Sequence, residues 1–142
     1  MSVVTWHSHN TKLTACSVEC CHHPGLGNLV AVGSYQLIQD TGAREGQVQL
    51  GVVSRDTNGD HVSYESNHIL DTGSGVLDMK WSHHDKPLLA TAQSDGRVCL
   101  YEVTLGVSDT CILKLMKLMD CVWLWSGVMT MRGLLSRTVL VT

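Results

Sequence analysis

The residues of this chain with the greatest chemical capacity are thiols and imidazoles. Cys16-x-x-x-Cys20-Cys21-His22-His23 gathers the soft and nitrogen ligands that zinc prefers, and His83-His84 repeats the imidazole pair farther along. The spacing fits no known zinc finger. On a β-strand alternate side chains point to opposite faces, so Cys16, Val18 and Cys20 would share one face and Cys21 the other. Core packing of Cys20 is therefore the expectation, and bound metal is not. A neutral imidazole is the commonest general base for ester hydrolysis near neutral pH. The two His pairs, however, occupy the same place in two repeats, which suits turn residues better than a catalytic group.

Three further motifs read as turns. Asp56-Thr57-Asn58-Gly59-Asp60 resembles the start of a calcium loop, but His61 and Asn67 stand where an EF-hand needs its glycine and its bidentate acid. Gly73-Ser74-Gly75 lacks the Gly-x-Ser-x-Gly frame of a nucleophile elbow and reads as a flexible lead-in. Asp95-Gly96 is a tight hairpin turn. No hydrolase triad can be read, so the catalytic residues stay unknown at this level, and no cofactor is expected.

The elements that would position these groups emerge from internal similarity. Cys16 to His23 lies over Leu77 to His84 with Ser17 on Asp78. After a one-residue gap, Leu29 to Ser34 lies over Leu89 to Ser94, an offset of about 60 residues. A third start appears at Asp120-Cys121-Val122-Trp123-Leu124-Trp125-Ser126, where Trp125-Ser126 repeats Trp81-Ser82 about 44 residues on, within the ~40–45 of a WD repeat. An insertion at Tyr35 to Gly46 accounts for the longer first period, because Asp40-Thr41-Gly42 begins a run of loop chemistry.

Strand patterning follows the repeat. The first unit parses as Ala15 to Cys21, Asn28 to Ser34, Gln47 to Ser54 and His61 to Leu70, with Asn58-Gly59 turning between the last two. In the second, Gly75 to Ser82 alternates Val76, Asp78 and Lys80 against Leu77, Met79 and Trp81. Leu88 to Ala92, Arg97 to Glu102 and Cys111 to Leu115 follow. Leu113 to Met119 leaves a minor helical alternative. The expected fold is all-β: an incomplete WD-type β-propeller of about two four-stranded blades plus the first strand of a third. Its divisions are a lead-in at 1–14, a first blade at 15–71 with the insertion at 35–46, and a second blade at 72–119. Residues 120–142 begin a third blade and continue as a divergent tail.

Bulk properties narrow the partners. Of 142 residues, 44% are hydrophobic and 16% charged, a globular balance. A net charge of −3 with scattered Lys and Arg offers no field for nucleic acid or anionic lipid. The apolar stretch from Cys121 to Met131 falls short of the ~20 residues a bilayer span needs. Without a secretory leader, reduced thiols and a cytoplasmic location are expected.

Several stretches resemble one family, the WD-repeat diphthine methyl ester hydrolases of diphthamide biosynthesis. They are Thr11-Lys12-Leu13-Thr14-Ala15, Ser17-Val18-Glu19, Leu29 to Leu37, Ile69 to Thr72 and Val76 to Trp81. Gly33-Ser34-Tyr35-Gln36-Leu37 and Leu77-Asp78-Met79-Lys80-Trp81 look like family signatures, and the similarity runs from Thr11 to Val103. Cys20 departs from the pattern, since the family and the internal repeat both lead to Trp there.

The resemblance implies removal of the methyl ester from diphthine on translation elongation factor 2, with release of methanol. Family members carry enough repeats to close a ring, so the chain resembles an amino-terminal fragment or shortened isoform, and the tail after Ser126 matches no expected strand. A non-catalytic protein-interaction scaffold and an inactive fragment are the alternatives. Full-length relatives are expected to release methanol from the methylated factor and the 142-residue chain is not, as a headspace methanol assay would read; robust turnover by the short chain would overturn this.

Overall fold

Ten strands make up the secondary structure described by a computed structural model, which covers residues 4–59, 61–83, 86–105 and 111–120. Among these residues there is no helix. Strands β1 (Ala15–Cys20), β2 (Leu29–Ser34), β5 (Gln47–Arg55) and β6 (Val62–Asp71) form one antiparallel sheet in the order β1-β2-β5-β6. A second sheet runs β7-β8-β9-β10, from β7 (Val76–Trp81), β8 (Leu88–Gln93), β9 (Arg97–Leu105) and β10 (Cys111–Asp120). Each sheet is a meander of consecutive neighbours, and the two pack face to face as successive blades of an incomplete, open β-propeller. A small hairpin, β3 (Gln36–Leu37) with β4 (Arg44–Glu45), fills the insertion, so that stretch is more than loop.

The strand positions agree with the patterning, with two changes of extent or phase. The fourth strand of the second blade reaches Asp120, well past Leu115, and the helical alternative over Leu113 to Met119 does not form. In β7 the simple alternation fails: Val76, Met79 and Trp81 are buried while Leu77 is half exposed. A register irregularity between Val76 and Asp78 is the cause, since one extra residue shifts which face every preceding side chain takes. Of the proposed opening of a third blade, Asp120 to Ser126, Asp120 instead ends β10 opposite Arg97, and Cys121 to Ser126 lie outside the described residues.

Backbone pairing superimposes the blades independently of sequence. Cys21 N–H donates to Leu29 O (2.9 Å) as Ser82 N–H does to Leu88 O (2.8 Å). Val53 N–H donates to Asn28 O (2.8 Å) as Val103 N–H does to Pro87 O (3.0 Å). Even the bulges coincide, between Leu50 and Gly51 opposite β6 and between Leu115 and Lys117 opposite β9. Cys20 is thereby equivalent to Trp81, as the sequence alignment has it. Leu29, however, matches Leu88 and not Leu89, because the turn after β1 is longer than the turn after β7.

One core joins the blades. Leu29, Ala31, Val48 and Leu50 of the first blade and Val76, Met79, Trp81, Leu89, Cys99 and Tyr101 of the second are all under 5% exposed and belong to a single cluster. Trp81 carries its indole N–H to the Glu19 carbonyl (3.2 Å), so the largest buried side chain also bonds across the seam. Glu19 and Lys80 form an ion pair beside it.

Gly33 sets how closely the sheets approach. A Cβ there would lie 2.6 Å from Ser17 Oγ, 2.8 Å from Val76 Cγ1 and 3.1 Å from Met79 Sδ. Gly33→Val should overpack the seam and lower unfolding free energy by about 1–3 kcal/mol, read as a lower urea midpoint. A midpoint equal to the parent's would show that the blades do not meet there.

Candidate functional site

The strands end in two sets of connections, and a cleft lies at the end that carries the insertion. The turns after β1 and β7 sit at the opposite end. The cleft has a volume of about 530 Å³ and is bordered by Lys12 and Leu13 of the lead-in, Ala43 to Glu45 of the small hairpin, Gly46 and Gln47 at the start of β5, and Asp71 and Gly73 after β6.

Its walls are held by short-range geometry. Ile38 N–H donates to Ala43 O (2.8 Å) and Gly42 N–H to Ile38 O (2.8 Å), closing the hairpin that presents Arg44. Gly42 has a positive φ of 68°, the left-handed conformation this turn needs. Behind the hairpin, Gly46 lets three backbones converge: a Cβ there would be 2.4 Å from Ser74 O and 2.8 Å from Ser34 O. Thr72 N–H bonds to Gly46 O (3.0 Å), and the Ser34 hydroxyl accepts the Gln47 N–H (3.0 Å). The link between blades is thus stitched to both ends of the insertion.

The polar groups of the cleft are two cations, Lys12 and Arg44, with Glu45 and Asp71. Gln47 Nε2 donates to Asp71 Oδ1 (2.6 Å), which holds that carboxylate against the start of β5. Arg44 also borders an adjoining depression of about 260 Å³ with Ser74, Ser94 and Asp95. There the Ser74 and Ser94 hydroxyls share a hydrogen bond (2.9 Å) and Ser94 Oγ accepts the Gly75 N–H (3.0 Å). Asp95 accepts the Arg97 N–H (3.1 Å) and its Nε–H (2.6 Å). These bonds to Arg97 hold the Asp95 carboxyl below the usual carboxylate range.

Chemically the cleft can orient a polar group and stabilise negative charge through a guanidinium and an ammonium. No histidine, serine or cysteine is among its lining residues, so it supplies positioning and charge rather than a nucleophile. Sequence reading missed Arg44 and Lys12. The one signal available was that a cation stood inside an insertion placed between two strands.

The thiol and imidazole motifs lie elsewhere and do not converge. Cys20 is exposed, which corrects the expectation of core packing. Its row faces away from the second blade, whereas the same row in the second blade, with Trp81 in it, is sealed by the first. Cys16 is exposed too, with Sγ 3.8 Å from Leu77 O. Cys21 is the buried thiol, and desolvation pushes its pKa up, so it stays protonated and unreactive.

At the turn end His22 stacks on His83 across the two blades, with ring centroids 5.9 Å apart and planes 10° from parallel. His23 Nδ1 lies 2.9 Å from Pro24 O. His84 lies outside the described residues, as does Asp60. The Asn58-Gly59 turn is a hairpin, closed by Gly59 N–H to Asp56 O (3.0 Å) and Asp56 N–H to His61 O (3.0 Å). Among the described residues no group of three or more His, Cys, Asp or Glu side chains could hold a metal ion, and no helix is long and apolar enough to cross a membrane.

Tyr101 is buried between the blades, and burial, with the neighbouring Cys99, raises its hydroxyl well above the ordinary tyrosine value. It therefore remains a neutral core group. No protein-family model matches the chain, and no curated protein matches it.

The Asp95 shift has a defined sign. A lowered folded-state pKa contributes stability that is complete above about pH 4, the unfolded aspartate value, and disappears as pH falls through the folded value. Asp95→Asn should therefore lose less Tm than the parent between about pH 6 and about pH 2.5. Equal losses in both proteins would show that the Arg97 contacts do not bias the carboxyl.

Proposed function

We propose that this chain is part of a WD-repeat hydrolase that removes the methyl ester from diphthine on translation elongation factor 2, releasing methanol. In this reading the two blades contribute to holding the protein substrate. What supports it is the position of the residues that carry the family resemblance. Gly33 lies where the blades approach too closely for a Cβ, Tyr35 packs its ring on Gly75, and Trp81 bonds across the seam. Gln36 and Leu37 continue from that seam into the hairpin that presents Arg44 beside the cleft.

Ester hydrolysis passes through a tetrahedral oxyanion and needs a donor aimed at it, a base and an attacking oxygen. Arg44 and Lys12 have the charge for the first of these tasks. Of the other two, the lining offers a carboxylate, Glu45, that could serve as base to an attacking water, and no serine or cysteine nucleophile.

That same lining favours a second reading, a protein-interaction scaffold whose insertion-bearing end contacts its partner without chemistry. The two separate by ester dependence. On the hydrolase reading the two cations make the chain bind the demethylated factor, whose side chain ends in a carboxylate, more tightly than the factor carrying the methyl ester, by roughly tenfold, equivalent to about 1.4 kcal/mol. Arg44→Ala should remove most of that preference. Equal titration curves for the two forms would support the scaffold and defeat the hydrolase assignment.

A further inference from the structure

Repetition places one imidazole of each blade at the same turn. His22 follows Cys21 and His83 follows Ser82, and the matching backbone bonds from Cys21 N–H to Leu29 O (2.9 Å) and from Ser82 N–H to Leu88 O (2.8 Å) make the two histidines counterparts. Counterpart residues of successive blades come side by side once the blades pack. The two ring centres are 5.9 Å apart, with planes 10° from parallel.

The backbone under both rings is anchored. Cys21 and Ser82 are buried, and the Ser82 hydroxyl donates to Lys86 O (2.7 Å) and accepts the Leu88 N–H (3.2 Å). The rings themselves are exposed, and among the described residues neither has a hydrogen-bond partner. Charged groups of the adjoining elements are already committed to one another: Lys80 pairs with Glu19, and Lys86 lies 3.6 Å from Glu102. His23 directs Nδ1 to its own turn, 2.9 Å from Pro24 O. The nitrogens of His22 and His83 are thus donors that solvent reaches and no internal contact uses.

Imidazole nitrogen suits zinc, nickel and copper ions, whereas magnesium and calcium take oxygen ligands. An ion about 2.1 Å from a ring nitrogen lies about 3.2 Å from the ring centre, so a single ion joins rings whose centres are up to about 6 Å apart. A tetrahedral angle at the ion brings the centres to about 5.2 Å, a closure within reach of two exposed side chains turning about their own bonds. The structure assigns His22 and His83 as a two-histidine site for a divalent transition ion, which clamps the turn of one blade to the turn of the next. Its other coordination positions face solvent and are completed by water. Repetition of the histidine, which argues against a catalytic role, is what creates the pair. Since the two ligands meet only when the blades are packed, binding stabilises the packed state.

Nickel is the probe and magnesium its control, used on the whole untagged chain. Isothermal titration should give one nickel ion per chain, and Tm should rise with nickel concentration but not with magnesium. His22→Ala and His83→Ala should each weaken nickel binding about a hundredfold, the loss expected when a chelate is reduced to one ligand. Each should also abolish the rise in Tm while leaving the β-sheet circular dichroism unchanged, because both rings are exposed. His23→Ala and Cys20→Ser should bind nickel as the parent does. A parent whose Tm does not respond to nickel would overturn the assignment. So would nickel binding that survives either His22→Ala or His83→Ala, or that is lost in His23→Ala or Cys20→Ser.

Discussion

The seam between the two sheets is the contact on which the rest of the structure depends. Ala90 and Val98 apart, the buried apolar residues described in both blades form one cluster, and each four-stranded sheet would otherwise present that apolar face to water. At about 25 cal/mol per Å² of apolar surface, covering these faces is the principal source of stability. Close approach is therefore required, and Gly33 provides it at the point where any side chain would collide with Ser17, Val76 and Met79. Trp81 fills the remaining volume and satisfies its one donor on the Glu19 carbonyl.

The cleft is a consequence of the same packing. Once the blades are pressed together, the link from β6 to β7 must pass beside the insertion, and Gly46 and Gly75 are the positions at which backbone and the Tyr35 ring come too close for a Cβ. The Ser34, Gln47, Thr72 and Ser74 bonds then fix the small hairpin against that link. Arg44 is carried on a braced element, which is the property a recognition residue needs if its ordering is not to be spent at the moment of binding.

Much was legible in the sequence for a local reason. A four-stranded meander repeats a period-2 pattern between turns with strong chemistry. Asn58-Gly59 and Asp95-Gly96 mark two of those turns, and both glycines take the positive φ their turns require. Internal similarity did the rest, since it ties the register of one blade to that of the other. It also placed Cys20 on Trp81, an equivalence the backbone hydrogen bonds repeat.

What a side chain touches is a different matter. Cys20 and Trp81 hold equivalent positions, yet one is exposed and the other sealed, because burial depends on whether another blade lies against that face. The alternation in β7 changes phase at a bulge that no residue type announces, so Val76 is buried and Leu77 half exposed. Lys12, Arg44 and Asp71 are far apart in the chain and meet only because the lead-in, the hairpin and the interblade link converge. Sequence by itself determined the strands, their turns and their repetition, since those follow from neighbours along the chain. Tertiary structure alone decided which faces are buried and where the cations meet, because both depend on contacts between residues that local pattern does not relate.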